Sequence, residues 1–317
     1  MIKKNKYGQY FTIEAIAEFM VSLVKQGKEA KVLEPSCGKG VFLKMLYKYG
    51  FKNIKGYEID ATLDNPYNVV EYESFIGSPL SECFNVVIGN PPYIRWKNLE
   101  DNLKRELAQS DLWNKYFNSL CDYLFIFILK SIEQLKENGE LIFICPEYWL
   151  NTTHSETLRN YMCVNGFFSD IYLFKEAPLF ESVTSSFIIF RYVKKNTHTS
   201  GITLHKYTKR GKPNLEELID GKCFTVEQIP AFQIGERWIL ATRSKQELLK
   251  SFQDSCIQSK SLFPNSETFY RIGDFCDIGN GMVSGLDKAF KVTDIDILNE
   301  DERNSLIKVN KAKDLEQ

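Results

Sequence analysis

The tetrapeptide Asn90-Pro91-Pro92-Tyr93 follows the apolar run of residues 84–89 and carries groups suited to one kind of chemistry. An asparagine carbonyl and the next backbone carbonyl can accept both protons of a planar amine, such as that of adenine, and draw its nitrogen toward a tetrahedral geometry. The two prolines remove two N–H donors and stiffen the turn. The tyrosine ring offers a stacking face for an extruded base. The same residues could equally end a buried strand in a tight turn.

A glycine-rich turn, Glu34-Pro-Ser-Cys-Gly-Lys-Gly40, is the second candidate. Gly38 and Gly40 allow a ligand to approach the backbone where the turn enters a helix. A pyrophosphate would favour a third glycine and no acid, whereas Glu34 suits a cation such as an ammonium or a sulfonium. We count Ser36, within the same turn, among the candidate ligands.

A third candidate is Glu58, which ends the next predicted strand about twenty residues after the glycine turn. An acid at this position accepts hydrogen bonds from ribose hydroxyls in nucleotide-binding sheets. The competing interpretation is an ordinary carboxylate at a strand end.

The elements that must position these groups alternate between strand and helix over the first two hundred residues. This alternation predicts an α/β fold with a mostly parallel sheet covered by helices on both faces. Ligands bind such sheets at the carboxyl ends of the strands, so the two turns are expected to converge. Beyond Pro213 the alternation is lost. Strands are predicted over residues 30–34, 54–59, 68–75, 84–89, 141–145, 170–174 and 186–192, and helices over residues 41–49, 113–136 and 152–164.

The composition limits the class of protein. The 317 residues are 44% hydrophobic and 26% charged, as in a soluble globular protein. No apolar run reaches the roughly 20 residues needed to cross a bilayer, and no signal peptide precedes the first charged residues. The eight cysteines have neither zinc nor disulfide spacing, which predicts reduced thiols, no metal site and a cytoplasmic location.

Charge is distributed unevenly although the net charge is only −1. Residues 193–214 hold six Lys or Arg and no acid, so this stretch could neutralise phosphates; a solvated loop and hairpin edge is an equal alternative. Arg95 and Lys97 directly follow the Asn-Pro-Pro-Tyr turn. We expect residues 95–111 to form a mobile loop facing DNA, with a solvated surface loop as the competitor.

Taken together, four motifs occur in the order seen in γ-class adenine-N6 DNA methyltransferases, and the chain resembles the TaqI-like branch of that family. The resemblance covers roughly residues 5–195 and extends weakly into residues 271–292, which look like the start of a target-recognition domain. The motifs are Gly8-Gln-Tyr-Phe-Thr12, Glu34-Pro-Ser-Cys-Gly-Lys-Gly40, Gly56-Tyr-Glu-Ile-Asp60 and Asn90-Pro-Pro-Tyr93.

The resemblance implies a Rossmann-like class I fold and S-adenosylmethionine as the methyl donor. Tyr10, Phe11 and Thr12 match the segment that closes over the methionine end of the donor. Glu58 matches the ribose-binding acid, and Ile59 matches a wall against the donor adenine.

One position departs from the family pattern. An Asp usually precedes the Phe that stacks on the donor adenine and holds the adenine amine, but here Ser74 precedes Phe75. Phe75 keeps the stacking role, and the amine partner is expected to be Glu73, a backbone group or water. The resemblance therefore leaves the adenine end of the donor site incompletely specified.

The acceptor side also follows from the resemblance. Asn90 and the Pro91 carbonyl match the pair that accepts the protons of the target amine, and Asn90 is counted among the cofactor-binding residues as well. Tyr93 matches the ring that stacks on the flipped adenine, and Phe180 matches a second aromatic residue on that base. Phe180 could instead be a core aromatic. Transfer is expected to be direct, without a covalent enzyme intermediate.

These matches predict a site-specific methyltransferase acting on double-stranded DNA, monomeric, with no membrane association. A restriction endonuclease or a recognition region is expected to be fused or separately encoded. The catalytic domain is expected over residues 1–245, and a linker with the beginning of a recognition domain over residues 246–317. The alternatives are a methyltransferase for RNA bases or protein glutamine, which shares Asn-Pro-Pro-Tyr, and a non-catalytic DNA-binding subunit.

Overall fold

The computed structural model describes residues 10–175, 177–180, 185–195, 201–209 and 211–262, together with residues 300 and 303, with side chains up to Phe252 in the last helix. The backbone divides into two compact units, Met1–Phe252 and Gln253–Gln317. The first unit holds every predicted site residue. Residues 271–292, where a recognition domain was expected to begin, lie outside the described residues.

The first unit is organised around one sheet. Within the described residues it has nine strands in the order β3-β2-β1-β4-β5-β7-β6-β8-β9. The strands from β3 to β5 are parallel, β7 is antiparallel to both β5 and β6, and β9 is antiparallel to β8. The strands are β1 (Lys31–Glu34), β2 (Asn53–Tyr57), β3 (Val70–Glu71), β4 (Phe84–Gly89), β5 (Leu135–Pro146), β6 (Gly166–Lys175), β7 (Phe187–Lys194), β8 (Gly201–Tyr207) and β9 (Phe224–Pro230).

Helices cover both faces of this sheet. The first, second and seventh helices pack into one core cluster, and the third to sixth into the other. Within the described residues, none of the helices has both the length and the apolar character required to cross a bilayer. The helices are α1 (Glu14–Ser22), α2 (Val41–Lys48), α3 (Asp101–Gln109), α4 (Asp111–Tyr116), α5 (Tyr123–Gln134), α6 (Glu156–Asn165), α7 (Leu215–Asp220) and α8 (Arg243–Leu262).

Strand β4 shows why these sequences form buried parallel strands. Val86 and Ile88 pack into the cluster around α1 and α2, whereas Val87 between them packs into the cluster around α5. Successive side chains of a strand point to opposite faces, and a strand covered on both faces is therefore apolar throughout. The α/β prediction with helices on both faces is confirmed.

The topology reverses between β1 and β4. Strand β2 lies on one side of β1 and β4 on the other, with Val32 paired to both Ile54 and Val86. The carboxyl ends of β1 and β4 are therefore neighbours at the switch point, where ligands of such sheets bind. The expected convergence of the two turns is observed.

The prediction of one helix over residues 113–136 was wrong. The chain turns between α4 and α5, where the Leu120 N–H donates to Asn118 Oδ1, and Asp122 then caps α5 by accepting the Leu124 N–H. A side chain that accepts the N–H of the second helical residue is an N-cap, so Asp122 starts a new helix. Asn138 does not end the helix either: it lies at φ 63° in a bulge of β5.

The segment after the Asn-Pro-Pro-Tyr turn is helical, so the prediction of a mobile loop over residues 95–111 was also wrong. Leu99, Leu103 and Leu107 recur every four residues and are all buried, which is the spacing of one helix face. Trp96 stacks on Trp113 with ring centroids 5.5 Å apart. Both features anchor the segment to the body of the fold.

The alternation also continues beyond Pro213, contrary to expectation. Helix α7 and strand β9 follow, and β9 extends the sheet by pairing with β8. Strand β3 is shorter than predicted, since the chain turns immediately after it: Ser74 Oγ accepts the Ile76 N–H, and the Ser78 N–H donates to the Phe75 carbonyl.

Candidate functional site

The two turns at the carboxyl edge of the sheet are tied to each other. The Ser36 hydroxyl donates to the backbone carbonyl of Asn90 over 3.0 Å. Gly89, directly before Asn90, lies so close to the first turn that an added Cβ would stand 3.5 Å from Pro35 and 3.6 Å from Glu34. The glycine-rich turn and the Asn-Pro-Pro-Tyr turn therefore form one site.

The side chain of Asn90 is held at both ends of its amide. Asn90 Nδ2 donates to the Tyr10 carbonyl over 2.7 Å and to Thr12 Oγ1 over 3.0 Å. Asn90 Oδ1 accepts a hydrogen bond from the Tyr93 hydroxyl. These contacts orient the amide with its carbonyl toward Tyr93. Pro91 is buried beside it, and the role of its carbonyl as the second acceptor stays a prediction.

Aromatic rings from three parts of the chain surround Tyr93. The Tyr10 ring stacks on Tyr93 at 5.7 Å with planes 16° apart, and Phe180 meets Tyr10 edge-on at 6.1 Å. Phe187 contacts Phe180 at 4.8 Å and Tyr93 at 6.0 Å. Phe180 is therefore both a buried aromatic and a wall of this group. Phe187 was not singled out from the sequence because it reads as an ordinary strand residue.

Tyr93 acts in this setting as a neutral phenol. Burial, the largest cause, raises the pKa of the Tyr93 hydroxyl well above its ordinary value, and the nearby Cys145, Tyr10 and Tyr148 raise it further. The hydroxyl therefore keeps its proton and can donate it to Asn90 Oδ1 or, over 3.3 Å, to the Ile144 carbonyl.

The glycine turn is shaped by left-handed backbone and by Glu58. Gly38 and Gly40 have φ of 53° and 79°, a region that a residue with a Cβ rarely adopts. Glu58 Oε2 accepts the Gly38 N–H over 2.7 Å, and Glu58 Oε1 accepts the Asp60 N–H over 2.9 Å. Glu58 therefore fixes the turn with both carboxylate oxygens. Each oxygen keeps a further lone pair that can accept a hydrogen bond from a ligand. Phe11 covers the turn, 3.5 Å from the position of a Cβ on Gly38.

Glu34 is a buried acid that the protein does not satisfy. Its side chain is 1% exposed, and within the described residues neither carboxylate oxygen has a hydrogen-bond partner. Burial, the largest cause, raises the pKa of Glu34 well above its ordinary value and the charge of Glu58 adds to this, whereas the nearby Cys37 thiol and Leu43 N–H lower it without reaching hydrogen-bond geometry. A buried carboxylate without a partner is costly, so this oxygen pair favours a cationic ligand.

Two clefts meet at the paired turns. One has a volume of about 620 Å³ and runs past Glu58 toward Phe75, and the other, of about 1100 Å³, runs past Glu34. Each predicted cofactor-binding residue lines at least one of them: Tyr10, Phe11, Thr12, Glu34, Ser36, Gly38, Gly40, Glu58, Ile59, Phe75 and Asn90.

The far end of the smaller cleft contains residues that the sequence did not single out. This end is lined by Leu103 of α3 and by Tyr123 and Phe127 of α5, beside Ser74 and Phe75. The apolar run of α5 reads only as a buried helix, so no local signal marked these residues. Phe75 is itself buried and contacts Phe127 at 5.5 Å.

Three of the six basic residues in the stretch 193–214 are paired with acids. Lys194 pairs with Glu82 at 3.2 Å, Lys206 with Glu227 at 2.7 Å, and Lys209 with Glu217. These contacts favour the alternative of a solvated edge over a phosphate-binding face. Arg95 and Lys97 are exposed beside the acceptor turn.

Known proteins resemble this chain in sequence and in fold. The chain is 43% identical to the type II methyltransferase M.HindII of Haemophilus influenzae, over 99% of this chain and 60% of that protein. It is 39% identical to M.HincII of the same species, over 99% of this chain and 59% of that protein. The chain thus spans about 60% of the length of these curated relatives.

The fold matches a solved structure described as a class I S-adenosylmethionine-dependent methyltransferase from Listeria monocytogenes. The TM-score is 0.53 at 17% identity, covering 70% of this chain and 72% of that one. The fold expected from the resemblance, Rossmann-like class I, is therefore confirmed.

A family profile matches the part of the chain that contains the site. Residues 30–180 match the Eco57I restriction-modification methylase family; this range includes both turns, Glu58, Phe75 and Phe180. These residues, 30–180, are therefore assigned to the Eco57I-like restriction-modification methylase family.

Proposed function

We propose that this chain is the catalytic part of a DNA methyltransferase that moves a methyl group from S-adenosylmethionine to the N6 amine of an adenine flipped out of double-stranded DNA. The observation that carries the proposal is the bond between the two turns, from Ser36 to the Asn90 carbonyl. This hydrogen bond holds the cleft for the methyl donor next to the residues that bind the target amine, as direct transfer requires.

The donor fits the residues present. The unpartnered carboxylate of Glu34 would attract the positive charge at the methionine end, and Tyr10, Phe11 and Thr12 would close over it. Glu58 would accept from the ribose hydroxyls while it holds Gly38, and Ile59 and Phe75 would enclose the adenine. When bound, the donor supplies a methyl group made electrophilic by its sulfonium.

The acceptor residues act on the target amine. Asn90 Oδ1 and the Pro91 carbonyl accept hydrogen bonds from its two N–H groups. These bonds localise the nitrogen lone pair and direct it at the methyl carbon. When bound, the donor would supply its methyl group to this nitrogen and leave as a neutral thioether, and the methylated amine would release one proton to solvent. Tyr93 and Phe180 hold the base plane in place, so positioning and charge placement carry the rate enhancement.

The choice of substrate class rests on the relatives. M.HindII and M.HincII are named type II methyltransferases, and the family is named for restriction–modification. These names favour DNA over the RNA-base and protein-glutamine alternatives. The orientation of Asn90 by Tyr10, Thr12 and Tyr93 favours an enzyme over a non-catalytic subunit.

The remaining partners follow from the same reasoning. The relatives are longer than this chain, and the added length would supply sequence recognition. A restriction endonuclease would be fused or separately encoded, and the methyltransferase would work as a monomer. The six cysteines whose side chains the structure describes are free thiols, which suits a cytoplasmic protein acting on cellular DNA.

A transfer assay tests the proposal. The full-length protein is incubated with methyl-labelled S-adenosylmethionine and, in parallel, duplex DNA of mixed sequence, total RNA and a protein extract. We expect label in DNA alone. Label only in RNA or only in protein would refute the DNA assignment, and no label in any polymer would favour the non-catalytic alternative.

A further inference from the structure

The adenine end of the smaller cleft lacks the acid that its resemblance predicts. Its polar side chains at this end are the hydroxyls of Ser74 and Tyr123, set among Phe75, Leu103 and Phe127. A purine amine placed there needs a hydrogen-bond acceptor, because a buried donor without one is costly. Glu73, the acid nearest in sequence, is exposed and does not line the cleft.

Ser74 is not well suited to this task alone. Its Oγ already accepts the Ile76 N–H over 3.2 Å, which shapes the turn after β3. Ser74 and Tyr123 line this end of the cleft together; burial raises the pKa of the Tyr123 hydroxyl and the Ser74 side chain lowers it. Ser74 therefore shapes the turn and leaves the phenol beside it as the second polar group of the cleft.

Tyr123 is fixed and uncharged. It is the first residue of α5, its side chain is buried, and its backbone N–H donates to the Ile94 carbonyl over 3.0 Å. Burial, the largest cause, raises the pKa of its hydroxyl far above the ordinary value, and the charge of Glu106 raises it further. The phenol can both donate and accept.

Glu106 brings a negative charge to the same place from α3. Its Oε1 lies 3.1 Å from the position of a Cβ on Gly77, and its charge also acts on Lys130. Lys130 donates to the Ile76 carbonyl over 2.6 Å and to the Ser78 carbonyl, so it fixes the turn that carries Ser74 and Phe75. A negative charge that acts on the phenol favours an orientation in which the phenol proton points toward that charge, which leaves a lone pair of the phenol oxygen for a ligand in the cleft.

We infer that the Tyr123 hydroxyl, which lines the cleft beside Ser74 and whose proton is drawn toward the Glu106 charge, accepts a hydrogen bond from the adenine amine of the donor in place of the missing carboxylate. Tyr123 is then a binding residue that sets specificity for a 6-amino purine, and Glu106 is a positioning residue. This inference rests on the proposed function, since it assumes that the cleft binds an adenosyl donor.

Calorimetry with two ligands tests the inference on the full-length protein. S-Adenosylhomocysteine carries the amine, and its purine-riboside counterpart lacks it. One hydrogen bond corresponds to roughly a three- to tenfold preference for the amine-bearing ligand, which we expect for the wild type. Tyr123→Phe, which keeps the ring, should bind both ligands equally, and Glu106→Gln should weaken the preference.

Two further variants make the result specific. Tyr192→Phe removes a buried hydroxyl that donates to the Met162 carbonyl, far from the cleft in the described fold, and should keep the wild-type preference. Adding Ser74→Asp to Tyr123→Phe should restore it by returning the expected carboxylate; if Tyr123→Phe alone does not fold, Glu106→Gln decides.

The outcomes separate the two proposals. A wild type that binds neither ligand overturns the proposed function. A wild type that binds both equally, or a folded Tyr123→Phe that keeps the preference, overturns the role of Tyr123 and leaves the proposed function standing.

Discussion

The hydroxyl of Tyr93 donates a hydrogen bond to Oδ1 of Asn90, three residues earlier in the same turn. The proposed mechanism needs that oxygen for the target amine. The Tyr93 hydroxyl therefore occupies the oxygen that the target amine would use, and the ring of Tyr10 stacks on the Tyr93 ring. A flipped base must exchange both contacts for its own, so the turn is preorganised but internally satisfied.

The Tyr93 hydroxyl and the Tyr93 ring are predicted to have different effects on activity. Tyr93→Phe keeps the stacking face and removes only the competing donor, so transfer should stay within a few fold of the wild type. Tyr93→Ala removes the ring, and since stacking of one base contributes about 1–3 kcal/mol, kcat/KM should fall roughly tenfold to a hundredfold. Steady-state kinetics on duplex DNA measure both. Equal losses would show that the hydroxyl, not the ring, is what matters.

Loss of the Asn90 carbonyl should affect chemistry more than donor binding. For Asn90→Ala we expect kcat to fall about 100- to 1000-fold, as for removal of one preorganised electrostatic contact. Donor affinity should fall only a few fold, through the lost tie to Thr12. Single-turnover rates and calorimetry with S-adenosylhomocysteine separate the two effects.

Thr12→Val is the matched control for Asn90→Ala. It breaks the same tie but leaves Asn90 Oδ1 in place, so it should reproduce the small loss of donor affinity without the loss of rate. A rate loss as large as that of Asn90→Ala would mean that Asn90 acts by holding Thr12 rather than by accepting a hydrogen bond from the target amine.

Glu34 is predicted to reduce stability while it increases donor affinity. Its pKa is raised by burial, so the folded state disfavours the charged form. The resulting penalty is absent below the unfolded pKa of about 4.3 and grows as the pH rises above it. Glu34→Gln should therefore raise the melting temperature of the ligand-free protein at pH 7.5, because the free energy of unfolding rises by about 1–3 kcal/mol. This gain in stability should vanish near pH 4.

The same substitution should weaken the donor. Loss of a charge-assisted contact predicts a roughly tenfold to hundredfold weaker affinity for S-adenosylmethionine at pH 7.5. Thermal melts at several pH values and calorimetry check the two effects in one variant. A variant that is less stable at pH 7.5, or that binds the donor as tightly as the wild type, would contradict the assignment of Glu34.

Parts of the fold and site that depend on local pattern could be predicted from the sequence. The buried strand ending in Gly89, the turn at Gly38 and the acid at Glu58 are short, strongly marked features, and the structure brings them together. The break at Asp122 could not be foreseen because both flanking segments favour helix and a single cap separates them. Tyr123 and Leu103 reach the cleft only through tertiary packing of α5 and α3, which no spacing along the chain encodes.

The helix after the acceptor turn is predicted to be structural. Leu107 is fully buried, so Leu107→Ala should destabilise the protein by about 2–5 kcal/mol. Leu120, which is 66% exposed, is the matched control, and Leu120→Ala should change stability by less than about 0.5 kcal/mol. Chemical denaturation of both variants measures this. Similar stabilities would mean that residues 101–109 do not pack as described.

The identity of the methylated nucleoside in DNA tests the central claim most directly. DNA from cells expressing the complete gene, as wild type or as Asn90→Ala, is digested to nucleosides and analysed by mass spectrometry. We predict N6-methyladenine in the wild-type sample and none above background in the Asn90→Ala sample. Methylated cytosine instead of N6-methyladenine, or N6-methyladenine that persists in Asn90→Ala, would contradict it.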